Sequence, residues 1–565
     1  MKINRLPAIR GGYLRLKAEQ ILKVICAPIS AHPALYLYIL LLNLISNYSV
    51  TIWHTKLGAI VGIFFLSAFI AYAELAVYNI LPKYIKSIYF WALIIVQNIL
   101  LITDWFLVFN FQTLICPETI DILRETNLNE TKGFLSTYLT PTNAIIGCGI
   151  VFSFNLIIYY LSKIISRYNI LRITLLCFSI CGFLYLGYGA FNFVLYKQGK
   201  AIPQYSSITR SAHSFMVSNH RKLSSLEVLD ICKNISAINS NSMQQSPTII
   251  VVIGESFSYQ HSSSYGYKYK TNKNLDNRFS AGELIIFNDV VSVSDHTHPV
   301  MKSVFSLSDT ETDFGRYPLF PACFKAAGYQ SVLYDNQYFV NQGEQTFLTN
   351  ADVSNVMFSA RNANGYAFDG NLVAAMNPVD SNSLCIIHLM GQHYNYEDRY
   401  PKEFKHFTAD DYDKSKYTDR QREFIAHYDN ATLYNDYVID QIIRKHEDKN
   451  CILIYFSDHG EEVFECRDYM GHGNAAHSPN IDLQIKVPFM IWASDKYQQN
   501  YPDKMERIKR AINFPITTND IGHFLLDLAD IRTEWLDYSR SFISDQYDTT
   551  RHRIVLNSID YDAIK

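Results

Sequence analysis

The sequence lacks an excess of charge of either sign, since 50 Lys and Arg residues stand against 53 Asp and Glu residues, a net charge of −3. We therefore expect no nucleic-acid partner. Glycine (24) and proline (17) are few in a chain of 565 residues, which argues against collagen-like and low-complexity proteins. The length exceeds one ordinary domain, so two or more folding units are expected.

Cysteine patterns that define small disulfide-bonded or zinc-binding proteins are also missing. The ten cysteines are scattered, and no CxxC pair occurs. A zinc ribbon and a thioredoxin-type site are therefore excluded. Five cysteines of the second part could pair in an oxidising compartment, but their spacing predicts no pairing: Cys232, Cys323, Cys385, Cys451 and Cys466.

The mean hydropathy of −0.02 conceals an apolar first part and a polar second part. Few polar residues interrupt the apolar stretches of the first part, so buried helices of a soluble protein are the weaker interpretation. We predict a multi-pass α-helical membrane domain over 1–198 with five spans, each near the roughly 20 residues that cross a bilayer core: 33–48, 57–81, 88–111, 143–162 and 170–196.

Basic residues in the N-terminal segment and in two connections predict the orientation of these spans. Such residues favour the inner side of a membrane, and an odd number of spans then leaves everything after about residue 198 on the far side. We interpret Glu74 and Asp104, in or beside spans, as interfacial residues. The basic residues are Lys2, Arg5, Arg10, Arg15, Lys17, Lys23, Lys83, Lys86, Lys163, Arg167 and Arg172.

The second part begins with a polar segment, 199–246, which we interpret as a linker with one or two short amphipathic helices. Over 247–565, short β-branched runs alternate with helical patterns, which predicts an α/β domain with a largely parallel sheet. The strand runs are SPTIIVVIGES, SVLYDN, SLCIIHLMGQH, NCILIYFSDHG and KVPFMIWAS, and the helical patterns are 299–307, 319–327, 421–446 and 517–530.

Polar side chains follow four of these strands: Glu255, Asn336, His393, and Asp458 with His459. Because sites lie at the carboxyl ends of parallel strands, we expect them to converge. Carboxylates together with imidazoles suit zinc or manganese. The alternative is that each of these residues only ends its strand by hydrogen bonding. That alternative would be preferred for a single residue, but not for four residues at four strand ends.

A candidate nucleophile lies in the segment VVSVSDHTHPVMKSVFSL. Ser292, Ser294 and Thr297 precede a helix predicted to begin near Pro299. A hydroxyl at a helix N-terminus beside a divalent cation is activated because both fields favour the alkoxide. The same helix end offers donors to phosphate oxygens. Thr297 lies immediately before this turn. The alternative interpretation is that Thr297 is an ordinary N-cap residue of the helix.

Together these segments resemble the membrane-bound phosphoethanolamine transferases of the alkaline phosphatase/sulfatase superfamily. The resemblance covers nearly the whole chain, and its short motifs occur in the family's order. The motifs are GESFSYQHSSSYGY from Gly254, GQHYNYEDRYPKEF with His393, YDNATLYNDYVIDQII from Tyr428, SDHGEE with Asp458 and His459, and GHG with His472.

The resemblance implies an α/β/α sulfatase-like (alkaline phosphatase-like) catalytic domain with a catalytic zinc ion. Thr297 would be both a metal ligand and the nucleophile. His393 and His472 would contact the phosphoryl group, a second zinc ion or the proton in transfer, and His477 could replace or assist His472. The implied metal ligands are Glu255, Thr297, Asp458 and His459, and the implied substrate contacts are Thr126, Glu130, Asn336, His393 and His472.

The resemblance further implies the reaction and its place. Phosphoethanolamine would pass from phosphatidylethanolamine to Thr297 and then to lipopolysaccharide (lipid A or core sugar) or another envelope glycan. The protein would lie in the inner membrane of a Gram-negative bacterium, in contact with membrane lipids, with its catalytic domain in the periplasm. We expect a monomer.

Several positions depart from the family pattern. His296 and His298 flank Thr297 where cysteine is common, Ile122 replaces an asparagine, and the lysine usually found shortly after Asn336 is absent. These departures suggest a divergent branch that modifies a core sugar or another glycan rather than the lipid A phosphate.

Three alternatives remain. A glycerophosphate transferase of the lipoteichoic acid synthase type, which uses phosphatidylglycerol and typically manganese, shares the spans and the threonine, but the GESxxxxHxSxxGY and RYPxxF patterns favour the ethanolamine interpretation. A sulfatase needs Cys or Ser in C/S-x-P-x-R, which THPVMK does not provide. A non-enzymatic lipid-binding module conflicts with the presence of all four metal ligands.

Overall fold

A computed structural model describes the chain in two compact units, Met1–Asn219 and His220–Lys565. The predicted substrate contacts Thr126 and Glu130 lie outside the described residues. The described residues are 20, 23–53, 57–111, 114–117, 119–120, 123, 141–167, 173–184, 187, 207–239, 246–308, 316–337, 367–377, 379, 381–473 and 475–564.

The first unit is helical. Its long helices are α1 (Pro33–Trp53), α2 (Leu57–Ile80), α3 (Lys83–Phe111) and α4 (Pro141–Ile165), followed by a short apolar helix, Ile173–Leu184. Among the described residues, three helices are long and apolar enough to cross a membrane, or four if Lys23–Ala31 and Pro33–Ile45, bent by 79°, form one span. The predicted count of five is not confirmed, because the structure describes only Ile173–Leu184 and residue 187 of the fifth predicted span, 170–196.

Polar side chains pair within this helical unit. Nδ2 of Asn155 in α4 donates to Oδ1 of Asn98 in α3 at 2.6 Å, and Asp104 of α3 forms a buried ion pair with Arg210 at 2.5 Å. Lipid offers no hydrogen-bond partner, so such groups are satisfied within the protein.

The segment predicted as a linker contains one 27-residue helix, α5 (Ser207–Lys233), rather than short helices. Neither glycine nor proline occurs within it, so nothing in the sequence breaks the helix. Val228 and Cys232 near its end are buried in the core of the second unit.

The second unit contains a six-stranded sheet in the order β2-β6-β5-β1-β4-β3. β6 runs opposite to the other five strands, which share one direction. The prediction of a largely parallel sheet is therefore confirmed. The three-residue strand β2 was not predicted. The strands are β1 (Thr248–Gly254), β2 (Leu284–Ile286), β3 (Gln330–Asp335), β4 (Ser383–His388), β5 (Cys451–Ser457) and β6 (Phe489–Ala493).

Helices flank this sheet close to the predicted positions. The longest, α10, begins at a capping box in which Thr418 and Gln421 satisfy each other's backbone N–H groups. The helices are α6 (Lys273–Ser280), α7 (Thr297–Phe305), α8 (Phe320–Ala326), α9 (Asp369–Ala375), α10 (Asp419–His446), α11 (Asp495–Asn500), α12 (Pro502–Arg510) and α13 (Ile521–Leu528).

Alternate residues of β1 enter two different cores. Ile249, Val251 and Ile253 pack with residues of α7, α8 and α13, whereas Ile250 and Val252 pack with residues of α10. Successive strand residues point to opposite faces, and each buried aliphatic side chain contributes about 1.5–3 kcal/mol. Both faces of the sheet are therefore covered, which gives the α/β/α architecture. All ten cysteines are free in the structure, and Cys232, Cys323, Cys385 and Cys451 are buried.

Candidate active site

The turn after β1 carries Glu255. Ser256 adopts a left-handed conformation (φ 56°), which is costly for a residue with a side chain. Its conformation is held by the Tyr428 hydroxyl, which donates to the Ser256 carbonyl at 2.5 Å. A Cβ at Gly391 would lie 2.8 Å from the Glu255 carbonyl oxygen, so only glycine fits against this turn.

The end of β5 places Asp458 and His459 beside Glu255. Oδ1 of Asp458 accepts the N–H groups of Ser256 (3.0 Å) and His459 (2.7 Å). Nε2 of His459 lies 3.3 Å from Oδ2 of Asp458 and 3.4 Å from Oε1 of Glu255, and all three side chains are fully buried. Nδ1 of His459 lies 2.9 Å from the Gly460 carbonyl. A carbonyl only accepts, so Nδ1 carries a proton and Nε2 points at two carboxylates.

Thr297, the first residue of α7, completes this cluster. Its Oγ1 lies 3.1 Å from Oε2 of Glu255 and 3.3 Å from Nε2 of His459. The structure thus brings together the four residues predicted to bind the metal.

The electrostatics of the cluster favour a cation. Burial and the neighbouring Glu255 charge raise the pKa of Asp458 to about 7. Burial acts to lower the pKa of His459, but the two carboxylates outweigh it and raise that pKa to about 10. Two buried carboxylates therefore share one imidazole, and Oδ2 of Asp458 has no hydrogen-bond partner among the described residues.

Nitrogen and oxygen donors in this arrangement fit a divalent metal ion. The ligand atoms of Glu255, Asp458 and His459 lie within 4.8 Å of one another. Oxygen and imidazole donors are those that zinc takes in proteins. The residues present are therefore suited to the zinc ion that the resemblance implies.

His472 lies against this cluster, with its ring centroid 4.1 Å from that of His459. Its Nδ1 lies 2.7 Å from Oε2 of Glu461. His459, Glu461 and His472 form a second group with ligand atoms within 4.8 Å. A second metal ion would thus find Glu461, which the sequence reasoning had not selected, beside His472.

The other predicted residues have different surroundings. Asn336 donates through Nδ2 to Oδ1 of Asp369 at 2.8 Å, and Asp369 also accepts the N–H of Gly391, so Asn336 supports the turn after β4. Burial lowers the pKa of His393 to about 4, so its imidazole is neutral at pH 7. His477 lies in a short 3-10 helix, Ala475–His477, and its side chain is outside the described residues.

Sequence reasoning missed one contact to Glu255. Nε2 of Gln337 donates to Oε2 of Glu255 at 2.7 Å and to the Leu389 carbonyl at 3.1 Å. Gln337 directly follows Asn336, two positions after β3 ends. Its place at a strand end was the available signal.

Comparisons with known proteins identify the family of the chain. The sulfatase family profile matches residues 247–531, slightly more than half of the chain. The chain belongs to the sulfatase family. Within that family its curated relatives are phosphoethanolamine transferases, so the resemblance read from the sequence is confirmed.

Phosphoethanolamine transferase EptC of Escherichia coli (strain K12) is 29% identical over 337 residues, 56% of this chain and 57% of the relative. Kdo(2)-lipid A phosphoethanolamine 7''-transferase of the same strain is 28% identical over 268 residues, 45% of each chain. The chain thus spans about half the length of the curated relatives it matches.

Similar solved structures include two phosphoethanolamine transferases. The C-terminal periplasmic domain of EcEptC from Escherichia coli, in complex with Zn, is 25% identical with a TM-score of 0.51, covering 58% of this chain and 96% of that one. The integral membrane EptA of Neisseria meningitidis covers 92% of this chain and 97% of its own at a TM-score of 0.60; at 18% identity it shows the fold alone.

Proposed function

We propose that the protein transfers phosphoethanolamine from phosphatidylethanolamine to lipopolysaccharide (lipid A or core sugar) or another envelope glycan. The observation that carries the proposal is the Thr297 hydroxyl, held 3.1 Å from Glu255 and 3.3 Å from His459 at the start of α7. A hydroxyl among buried acid–base groups is suited to act as a nucleophile. The names of the curated relatives support phosphoethanolamine as the transferred group.

Glu255, Thr297, Asp458 and His459 would hold a zinc ion. When bound, zinc would stabilise negative charge on the hydroxyl and phosphoryl oxygens. The donor set and the zinc complex of the similar EcEptC domain support this choice of metal. A second zinc ion would be held by Glu461 and His472, with His393 as a further candidate ligand.

The reaction would proceed in two displacements. Oγ1 of Thr297 attacks the phosphorus of phosphatidylethanolamine, and diacylglycerol leaves while phosphoethanolamine stays on Thr297. An acceptor hydroxyl then displaces it. The N-terminus of α7, the positive end of the helix dipole, is suited to bind non-bridging oxygens. His472 would protonate the leaving oxygen, and the neutral imidazole of His393 would take the proton of the acceptor hydroxyl.

The proposed organisation follows the sequence. Residues 1–198 form the membrane domain, 199–246 the linker and 247–565 the periplasmic catalytic domain. The protein would act as a monomer in the inner membrane of a Gram-negative bacterium. Similarity to a Kdo(2)-lipid A phosphoethanolamine transferase supports an envelope lipid acceptor, and the histidines that flank Thr297 support a divergent acceptor such as a core sugar.

Intact-mass measurement with peptide mapping tests the proposal. The full chain in detergent is incubated with phosphatidylethanolamine, beside Thr297→Ala protein and chelator-treated protein. We expect a phosphoethanolamine adduct on Thr297 that is absent from both controls. An adduct only from phosphatidylglycerol would instead identify a glycerophosphate transferase.

A further inference from the structure

An imidazole held by a buried carboxylate precedes the nucleophile in the chain. Nδ1 of His296 lies 2.9 Å from Oδ1 of Asp295. A carboxylate only accepts hydrogen bonds, so Nδ1 carries a proton, and Nε2 is the ring nitrogen left to meet a ligand. The imidazole is 24% exposed, whereas the carboxylate is 5% exposed. A ligand can therefore reach the imidazole but not the carboxylate behind it.

The carboxylate is fixed from its other side. Oδ2 of Asp295 accepts the N–H of Ala475 at 2.8 Å, which ties the turn before α7 to the segment that carries His472. The same segment leaves room for the His296 ring, since a Cβ at Gly473 would lie 2.8 Å from Nε2 of His296. The position of this imidazole is thus set by contacts on two sides.

The charge of the Asp295–His296 pair indicates which ligand it takes. The buried carboxylate of Asp295 lies directly behind the imidazole, so a ligand at this ring meets the negative charge of Asp295 through it. Such a pair attracts a cation rather than a phosphate. A helix N-terminus such as that of α7 favours phosphoryl oxygens, whereas a primary ammonium group needs an acceptor with negative charge behind it.

The location also suits the far end of the transferred group. The His296 ring lies 6.1 Å from the His472 ring, which in turn lies 4.1 Å from the His459 ring beside Thr297. In phosphoethanolamine the ammonium is separated from phosphorus by an oxygen and two carbons. His296 is thus near the nucleophile without belonging to the predicted metal cluster.

We infer that Asp295 and His296 form an ammonium subsite that selects the ethanolamine head group. His296 contacts the ammonium through Nε2, and Asp295 is a positioning residue that fixes the ring and supplies the charge. This inference rests on the proposed function, and it assigns donor selectivity to His296, which departs from the family pattern, and to Asp295 beside it. Head groups without an N–H donor, such as choline, or without positive charge, such as glycerol, are bound less well.

A competition experiment tests the subsite. The full chain in detergent is mixed with equal amounts of phosphatidylethanolamine, phosphatidylcholine and phosphatidylglycerol, and the adducts on Thr297 are quantified by mass. We expect Asp295→Asn and His296→Asn each to reduce the preference for ethanolamine by about tenfold or more, as for a lost charge-assisted hydrogen bond. The rate of adduct formation from phosphatidylglycerol should change less than about threefold.

A matched control is available in the same chain. His552 and Asp560 form another imidazole–carboxylate pair, with 2.6 Å between Nδ1 and Oδ2. Asp560→Asn should leave the head-group preference unchanged. Equal loss of all adducts in the Asp295→Asn and His296→Asn proteins would overturn the inference, because it indicates a structural or phosphate-binding role. An unchanged preference would overturn it as well.

A binding measurement separates failure of the subsite from failure of the proposed reaction. Phosphoethanolamine and glycerol 3-phosphate are titrated calorimetrically against Thr297→Ala protein, with and without Asp295→Asn. If Asp295→Asn weakens the binding of phosphoethanolamine but not that of glycerol 3-phosphate, the subsite is supported even when no adduct forms from phosphatidylethanolamine. Equal affinities for the two compounds, with Asp295 intact, exclude the subsite whether or not transfer occurs.

Discussion

Nδ1 of His261 lies 2.6 Å from Oδ1 of Asp429, a residue 168 positions later in α10. Nε2 of His261 lies 3.2 Å from Glu465, and Oδ2 of Asp429 accepts the hydroxyls of Tyr267 (2.9 Å) and Tyr412 (2.6 Å). His261 and Asp429, which belong to the motifs of the family resemblance, thus form a buried hydrogen-bonded cluster that joins the loop after β1 to α10. Their role is to hold the site together.

The buried cluster of His261 and Asp429 should make the free energy of unfolding depend on pH. Burial acts to lower the pKa of His261, but Asp429 and Glu465 outweigh it and raise the pKa to about 10. Because the unfolded pKa is about 6.5, the stabilisation is complete below pH 6.5 and is lost as pH rises towards 10. His261→Gln should therefore lower the melting temperature most at pH 6 and progressively less up to pH 10.

Thermal unfolding of the full chain in detergent checks this dependence. His552→Gln is the control, since that histidine is 65% exposed and pairs with Asp560 at the surface. It should have little effect at any pH, as exposed pairs contribute about 0–1 kcal/mol. A His261→Gln effect of the same size at pH 6 and pH 10 would contradict the assignment.

Zinc should stabilise the folded protein through the buried carboxylates. Without a cation, Glu255 and Asp458 share a single imidazole, and a bound ion relieves this excess of negative charge. A ligand at 100 times its Kd adds about 2.7 kcal/mol to the free energy of unfolding. We expect the melting temperature of chelator-treated protein to rise with added zinc, and Asp458→Asn to abolish the rise.

The control for this experiment is Asp560→Asn, which also removes one carboxylate beside a histidine. It should keep the full zinc-dependent rise and one tightly bound zinc per chain by metal analysis. Retention of the rise in Asp458→Asn protein would place the metal elsewhere.

Gly473→Ala should displace His296. The new Cβ would lie 2.8 Å from Nε2 of that ring, at a backbone φ of 83° that disfavours a side chain. Gly282→Ala separates the two effects, because Gly282 has φ 79° and nothing within 4 Å of its Cβ position. We expect both variants to lose about 1 kcal/mol of stability from strain, and only Gly473→Ala to form less adduct at Thr297 from phosphatidylethanolamine. Equal adduct yields in the two proteins would show that the ring is free to move.

Much of the fold was predictable because its signals are local. Strand runs such as the one ending at Gly254 are β-branched and buried on both faces, and the helix at Asp419–His446 has its own cap. The position after each strand pointed to Glu255, Asp458 and His459, since topology alone brings strand ends together. The five-span count is not confirmed, since three helices, or four with the bent pair, are long and apolar enough among the described residues.

Contacts between distant segments were beyond sequence reasoning. Glu461 was not predicted as the partner of His472, because the antiparallel pairing of residues 462–463 with 470–471 sets their geometry. Asn336 was expected to face substrate, yet its amide is bonded to Asp369, a residue with no signal of its own. Hydrogen-bond partners depend on side-chain direction after folding, and a motif does not encode that direction.

Gln337 gives the last prediction, since its amide is bonded to a metal-ligand candidate. Nε2 donates to Oε2 of Glu255 at 2.7 Å and to the Leu389 carbonyl at 3.1 Å, so it orients the carboxylate. Loss of such an outer hydrogen bond costs about 10–100-fold in metal affinity. We expect Gln337→Ala to weaken zinc binding by that factor in a chelator competition. Adduct formation should return when zinc is saturating, because the four ligands remain.

Gln498→Ala, which removes an amide that donates to the Ala493 carbonyl, should leave zinc affinity unchanged. Unaltered affinity in Gln337→Ala protein would mean that Glu255 is held by its own turn alone.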